Sequence, residues 1–146
     1  MDSIIKVTGS LELVLRDKDG IVKQHEKVNN LVVTTGKILI ASRLIAGTSA
    51  SAYPFYMGVG TGTVDPTTGD TALGSQLARV SSTTSIVNNV ITFSADFNAG
   101  TGTGALTEAG MFDSNTNGIM LCRTKFGVIN KASDDTLTIK WNLTIG

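Results

Sequence analysis

Glu108 is the residue whose surroundings ask most of its chemistry. It stands in Leu-Thr-Glu-Ala-Gly-Met-Phe, residues 106–112, where apolar neighbours on both sides would strip a carboxylate of its water. Such a charge is tolerated only when a cation or several backbone N–H groups replace the lost hydration. A general acid or base would need a partner and a pocket, and the cations beside apolar stretches are Arg79 and Arg123. A structural ion pair is the expected role, because buried charges are normally paired. The pairing expected is Glu108 with Arg79, fixing the register between two hairpins.

The other reactive residue types are dispersed. His25 is the only histidine and lies in a polar stretch with Lys23, Glu26 and Lys27. No Gly-x-Ser-x-Gly surrounds a serine and no second His or Cys is spaced for zinc, so no catalytic residue, cofactor or metal ligand is assigned. Gly58-Val59-Gly60-Thr61-Gly62 invites comparison with a phosphate loop, but the dinucleotide pattern would need a glycine at Thr63. The Walker pattern fails as well, with Leu31 in place of its first glycine and Ile38 after Gly36-Lys37. Tight turns are the better reading. Asp17, Asp19, Gly20 and Glu26 resemble part of a calcium loop without its full spacing, and a hairpin turn accounts for them. Cys122 sits in an apolar stretch and reads as a small hydrophobe.

Period-two patterning dominates the elements that must hold these residues. Ile5, Val7, Leu11, Leu13 and Leu15 alternate with mostly polar positions, Lys18-Asp19-Gly20 supplies a turn, and residues 21–28 return, giving a hairpin expected at a sheet edge. Asn29-Asn30 interrupts the pattern before a short apolar piece, residues 31–33. A helix follows at about residues 36–46, capped by Thr34 or Thr35, with Ile38, Ala41, Ser42 and Ile45 on one face and Gly47 closing it. Being apolar around most of its circumference, it is expected to be buried on more than one side.

Residues 48–52 read as a loop, 54–60 as a strand, and 61–70 as a long polar loop suited to contacts. A turn of helix is expected over 72–78, with Leu73 and Leu77 pointing one way. Residues 79–87 and 90–98 read as strands facing each other across Asn88-Asn89. After Gly100, Gly102 and Gly104 comes a core hairpin, residues 106–126, turning at 113–118. A polar connection, 127–136, leads to a last strand in which Leu137, Ile139, Trp141, Leu143 and Ile145 alternate with polar residues. A core strand in that place reads as the end of a complete domain.

The 146 residues suit one domain, 1–146. Twelve basic and twelve acidic residues cancel, so no field draws in nucleic acid or an anionic membrane surface. Only 16% of residues are charged and 41% are apolar, a light charge for a free monomer, so much of the surface is expected to be covered. No stretch has the length of a membrane span, and the opening residues lack the order of a signal peptide, which points to a cytoplasm-like setting. Sixteen glycines against two prolines, with many Ser, Thr and Asn, favour short strands and turns. The fold class is mainly β, a β-sandwich or jelly-roll-like domain with one short helix.

Three segments together resemble small virion structural proteins of tailed bacteriophages, the capsid cement or decoration type and the tail or collar fibre type. They are Asn30-Leu31-Val32-Val33-Thr34-Thr35-Gly36; Met57-Gly58-Val59-Gly60-Thr61-Gly62 with Thr71-Ala72-Leu73 and Arg79; and residues 106–112, with the terminal alternating strand. The likeness spans roughly residues 30–146. An acidic residue more often stands a few positions before the arginine in such proteins, where this chain has Gln76. The resemblance implies a non-enzymatic protein of the virion, binding the major capsid protein or other virion subunits as a homo-oligomer, a trimer before other states. The amino-terminal hairpin and the loops 47–52 and 61–70 are the expected contacts. A tail or collar adaptor is the alternative; a carbohydrate-binding module using Tyr53, Tyr56 or Trp141 is the second.

Overall fold

The computed structural model describes residues 5–45 and 55–146. Among them are nine strands: β1 (Val7–Arg16), β2 (Val22–Val32), β3 (Tyr56–Gly60), β4 (Gln76–Ser81), β5 (Thr83–Val87), β6 (Val90–Phe97), β7 (Gly104–Phe112), β8 (Met120–Lys131) and β9 (Thr136–Ile145), with one helix, α1 (Thr34–Ile45). All pairings are antiparallel, in the order β4-β3-β7-β8-β2-β1-β9-β6-β5. The protein is thus mainly β with one short helix.

Alternation along β1, β9 and β6 sends one row of apolar side chains inward, and register stacks them. Leu11, Trp141 and Phe93 lie side by side across the three strands, as do Leu13, Ile139 and Ala95, and Leu15, Leu137 and Phe97. All nine are buried. From the facing half, Met57, Val59, Ala109, Met111, Cys122 and Ile129 meet them in the same core. Two layers thereby share one apolar interior.

Two corners join the layers. The first is β2, whose Gly9-facing Asn30 still pairs with β1 while Leu31 and Val32 pair with β8. Asn29-Asn30 therefore marks a change of partner inside one strand rather than its end. Gly9 lacks a side chain where the Asn30 amide sits; any Cβ there would collide with it. The second corner is Ser82, whose N–H and hydroxyl both donate to the Phe55 carbonyl, at 2.9 and 2.7 Å. What the sequence presents as one strand, 79–87, is split there: β4 pairs with β3 and β5 with β6, at opposite ends of the strand order. The sheet is nearly closed as a result.

Several expectations change for physical reasons. The opening hairpin is central rather than an edge, because β9 pairs along all of β1. Its turn forms as expected, Asp17 accepting the N–H groups of Asp19 and Ile21, both at 2.9 Å, around Gly20 at a φ of 81°. Residues 72–78 form no helix: Leu73 packs with Val33, Phe112 and Met120, while Leu77 is 47% exposed. The stretch 127–136 is largely strand, since β8 bulges at 126–128 opposite Thr107 and resumes pairing from Ile129 to Lys131. Gly127 in the bulge hides that continuity.

α1 buries the opposite side from the one its stripe suggests. Gly36 and Leu39 are buried, whereas Ile38 (63% exposed), Ala41 and Ser42 face outward. Gly36 decides this orientation: a Cβ at that position would run into the backbone carbonyl of Leu121, so only glycine lets the helix lie this close to β8. Gly47, the side chain of residue 45 and the loop 48–52 lie outside the described residues. Gly36→Ala is expected to destabilise folding by about 1–3 kcal/mol, although alanine normally favours a helix interior by about 1 kcal/mol. Ile38→Lys should stay within about 0.5 kcal/mol. Denaturant unfolding of the two variants checks both; a stabilised Gly36→Ala would refute the close approach.

Candidate functional site

On the outer face of β7, away from the shared core, stand Glu108, Gly110 and Phe112. Across the neighbouring strands the same face carries Gly58 and Gly60 on β3, Arg79 on β4 and Arg123 on β8. Register runs Arg79, Gly58, Gly110, Arg123 in one line, two arginines flanking two glycines. Leu73 lies over both glycines: Cβ atoms there would be 3.2 and 3.0 Å from its methyl carbons. It fills the space between the arginines.

Glu108 has 0% exposure and does pair with an arginine, but with Arg123. The guanidinium donates through Nη2 at 2.9 Å and Nε at 3.3 Å to Oε2. Adjacency explains the choice, because β8 borders β7 whereas β4 lies beyond β3, and each strand adds about 4.8 Å. Arg79 is used otherwise. It stacks 3.5 Å from the Phe112 ring centroid and donates to the carbonyls of Ser114 and Asn117, at 3.0 and 2.8 Å, holding the β7–β8 turn. Its Nε and Nη2 both reach Gln76 Oε1, at 3.1 and 2.8 Å, so an uncharged acceptor stands where an acidic one would be expected.

The rest of the Glu108 carboxylate is satisfied by backbone. Oε1 accepts the N–H of Gly62 at 2.9 Å and of Ser75 at 2.7 Å; Oε2 accepts that of Gly74 at 2.9 Å. The two ends of the loop 61–75 are thereby tied to one side chain, and the Thr61 N–H closes onto the Ser75 carbonyl at 2.9 Å. A Cβ on Gly60 would be 2.7 Å from Oε1, and one on Gly62 2.7 Å from the carboxyl carbon. The glycine run that resembles a phosphate loop does cradle an anion, and the anion is the protein's own.

Further side chains pin the middle of this loop. Arg123 reaches Asp70 Oδ2 and the Val64 carbonyl, both at 2.9 Å. Thr107 Oγ1 donates to the Gly62 carbonyl at 2.7 Å, and Lys125 Nζ to the Thr63 carbonyl at 3.0 Å and Asp65 at 2.7 Å. The Thr34 N–H, at the start of α1, meets the Thr68 carbonyl at 2.8 Å. Burial pushes the Glu108 carboxyl up, but the Ser75 and Gly74 N–H groups, Arg123 and the Gly62 N–H outweigh it and hold it below the usual carboxylate range. Asp70 shows the same balance, burial opposed by Thr67 and Arg123. A carboxylate so fully engaged is a structural anchor and offers no lone pair to a substrate.

The other candidates separate from one another. His25 lies 3.3 Å from Glu12 on the open face of the β1–β2 hairpin, with Lys27 at 3.6 Å from the same carboxylate. Cys122 is buried and its thiol is pushed well up by that burial, which makes it unreactive. Trp141 has 0% exposure in the core, so it cannot join Tyr56 on a sugar-binding platform; Tyr53 lies outside the described residues. Among the described residues, no cluster of His, Cys, Asp and Glu could hold a metal. No helix among them is long and apolar enough to cross a membrane. A groove of about 700 Å³ opens between α1 and the β5–β6 hairpin, with Phe93, Leu121 and Leu143 in its lining. No family model, curated protein or solved structure matches the chain.

The signal for Arg123 lay within the core hairpin itself. Equal steps outward from the turn at 113–118 bring residue 123 opposite residue 108, and the actual offset of two leaves them diagonal neighbours on one face. Glu108→Gln is expected to cost about 3–5 kcal/mol, since Arg123 is left buried without its main counter-charge. Wild-type stability should be full above the ordinary carboxylate pKa and fall as the pH drops through the lowered values of Glu108 and Asp70; the variant's slope should be shallower. Acid titration of the melting temperature measures both, and an unchanged melting temperature for Glu108→Gln would remove the anchor role.

Proposed function

We propose that this chain is a non-enzymatic structural protein of a tailed-bacteriophage virion, acting as a cement or decoration protein that binds the assembled capsid shell. The observation that carries the reading is the use made of the buried charges. Glu108 and Arg123 hold a polar, fifteen-residue loop, 61–75, in one conformation from beneath and leave its outer surface open. Val64 and Asp65 on that surface are exposed. A pre-ordered loop loses little entropy on docking, which suits recognition of a fixed partner surface.

The segments that resemble virion proteins, apart from the terminal strand β9 in the other layer, meet in this same layer. Val33 packs with Phe112, Met120 and Leu73; Thr34 holds Thr68; Gly60 and Gly62 close around Glu108. The mechanism is binding alone, with buried interface area holding neighbouring capsid subunits together. The loop 61–70 and the exposed turn at 17–21 are the proposed contacts, with the capsid protein as partner. The loop 47–52, also expected as a contact, lies outside the described residues.

Copy number in purified particles, by quantitative mass spectrometry against the major capsid subunit, tests the reading. Hundreds of copies are expected for a cement protein. A few tens would place the chain on the tail or collar, and absence from particles would overturn a virion role. Shortening the loop between residues 63 and 70 is expected to lower particle binding; full binding by that variant would remove the loop from the contact.

A further inference from the structure

β5 lies at one end of the strand order, paired with β6 alone, and all five of its residues are exposed. Among the described residues its outer edge has no partner. Edge strands are commonly protected by charge, proline or a bulge. Thr83-Thr84-Ser85-Ile86-Val87 has none of these, and its register with β6 is unbroken. The opposite edge, β4, carries Arg79 and pairs through a bulge.

Next to this bare edge runs the 700 Å³ groove. Thr84 and Ile86 pair with Phe93 and Ile91, and all four line it together with Leu39, Ile40, Arg43 and Leu44 from α1. Ile86, Val87 and Leu44 are 71%, 68% and 85% exposed. Ile86 and Leu44 line the groove, and Val87 extends the exposed apolar surface along the strand, the kind of surface that marks a contact site.

We propose that β5 and the groove are the contact between two copies of this chain, formed by antiparallel pairing of β5 with its twofold mate. The absence of charge along the strand suits a second copy. A twofold axis brings each residue close to its own counterpart, so a charged strand would repel itself, and residues 80–95 contain no charged side chain at all. Backbone geometry fits as well. The two-residue turn Asn88-Asn89 makes Val87 and Val90 a bonded pair, which directs the backbone groups of Thr84 and Ile86 outward. Centred on Ser85, the twofold sets Thr84 opposite Ile86 of the other copy, so these outward groups bond each other, and Ser85 faces Ser85.

Sedimentation of the purified full chain over a wide concentration range, with light scattering, tests this without particles, so its outcome is separate from that of the virion reading. A particle of twice the chain mass is expected. Ile86→Lys should weaken association at least tenfold while leaving the melting temperature of the single copy unchanged, and adding Thr84→Glu should restore pairing by setting opposite charges across the axis. Ser85→Cys should form a disulfide-linked dimer on mild oxidation, whereas Val64→Cys, at an equally exposed position on the loop, should not. A chain that remains single at every concentration, a trimer indifferent to Ile86→Lys, or a Ser85→Cys variant that links no faster than Val64→Cys would overturn the proposal.

Discussion

A carboxylate with no access to water governs the outer layer of this protein. Glu108 accepts three backbone N–H groups from both ends of the loop 61–75, and Arg123 completes its shell. Each donor offsets part of the desolvation cost, so the loop can rest on the sheet only in a conformation that delivers all of them. The glycines follow from the same constraint. Side chains at residues 60 and 62 would occupy the space of the carboxylate, and Gly58 and Gly110 make room for Leu73 between the two arginines.

The two arginines divide the work according to strand order. Arg123, on the strand beside Glu108, neutralises it and passes the constraint on to Asp70 and Val64. Arg79, two strands away, spreads over Phe112 and gathers the carbonyls of the turn at 113–118. A planar guanidinium serves both tasks, since one needs a fork for two acidic groups and the other a flat face for a ring. Two of the buried charges, Glu108 and Arg123, therefore lie beneath a loop, while β5 and the Asn88-Asn89 turn carry no charge.

That division accounts for the contrast between the two surfaces. One is polar and fixed from below, suited to docking on a rigid partner. The other is mostly apolar, with Arg43 in its groove, and among the described residues its strand edge is unpaired, the kind of surface that strand addition covers. Both proposed contacts use backbone and shape more than reactive chemistry, in keeping with a role in assembly.

The sequence by itself determined part of the local structure. Period-two patterning placed β1, β6 and β9, an apolar run before a polar turn placed β7, the Asp17 and Asn88 turns followed from residue chemistry, and Glu108 was recognisable as a buried charge in need of partners. These are legible because side-chain alternation and turn geometry act over a few residues. Tertiary structure decided which strands adjoin, and with it the partner of Glu108, the central place of the opening hairpin, the division of 79–87 at Ser82 and the exposed side of α1. Each of those depends on contacts between residues distant in the chain, where alternation is silent: a period of two states which face a side chain occupies, and only register and strand order state what it meets there.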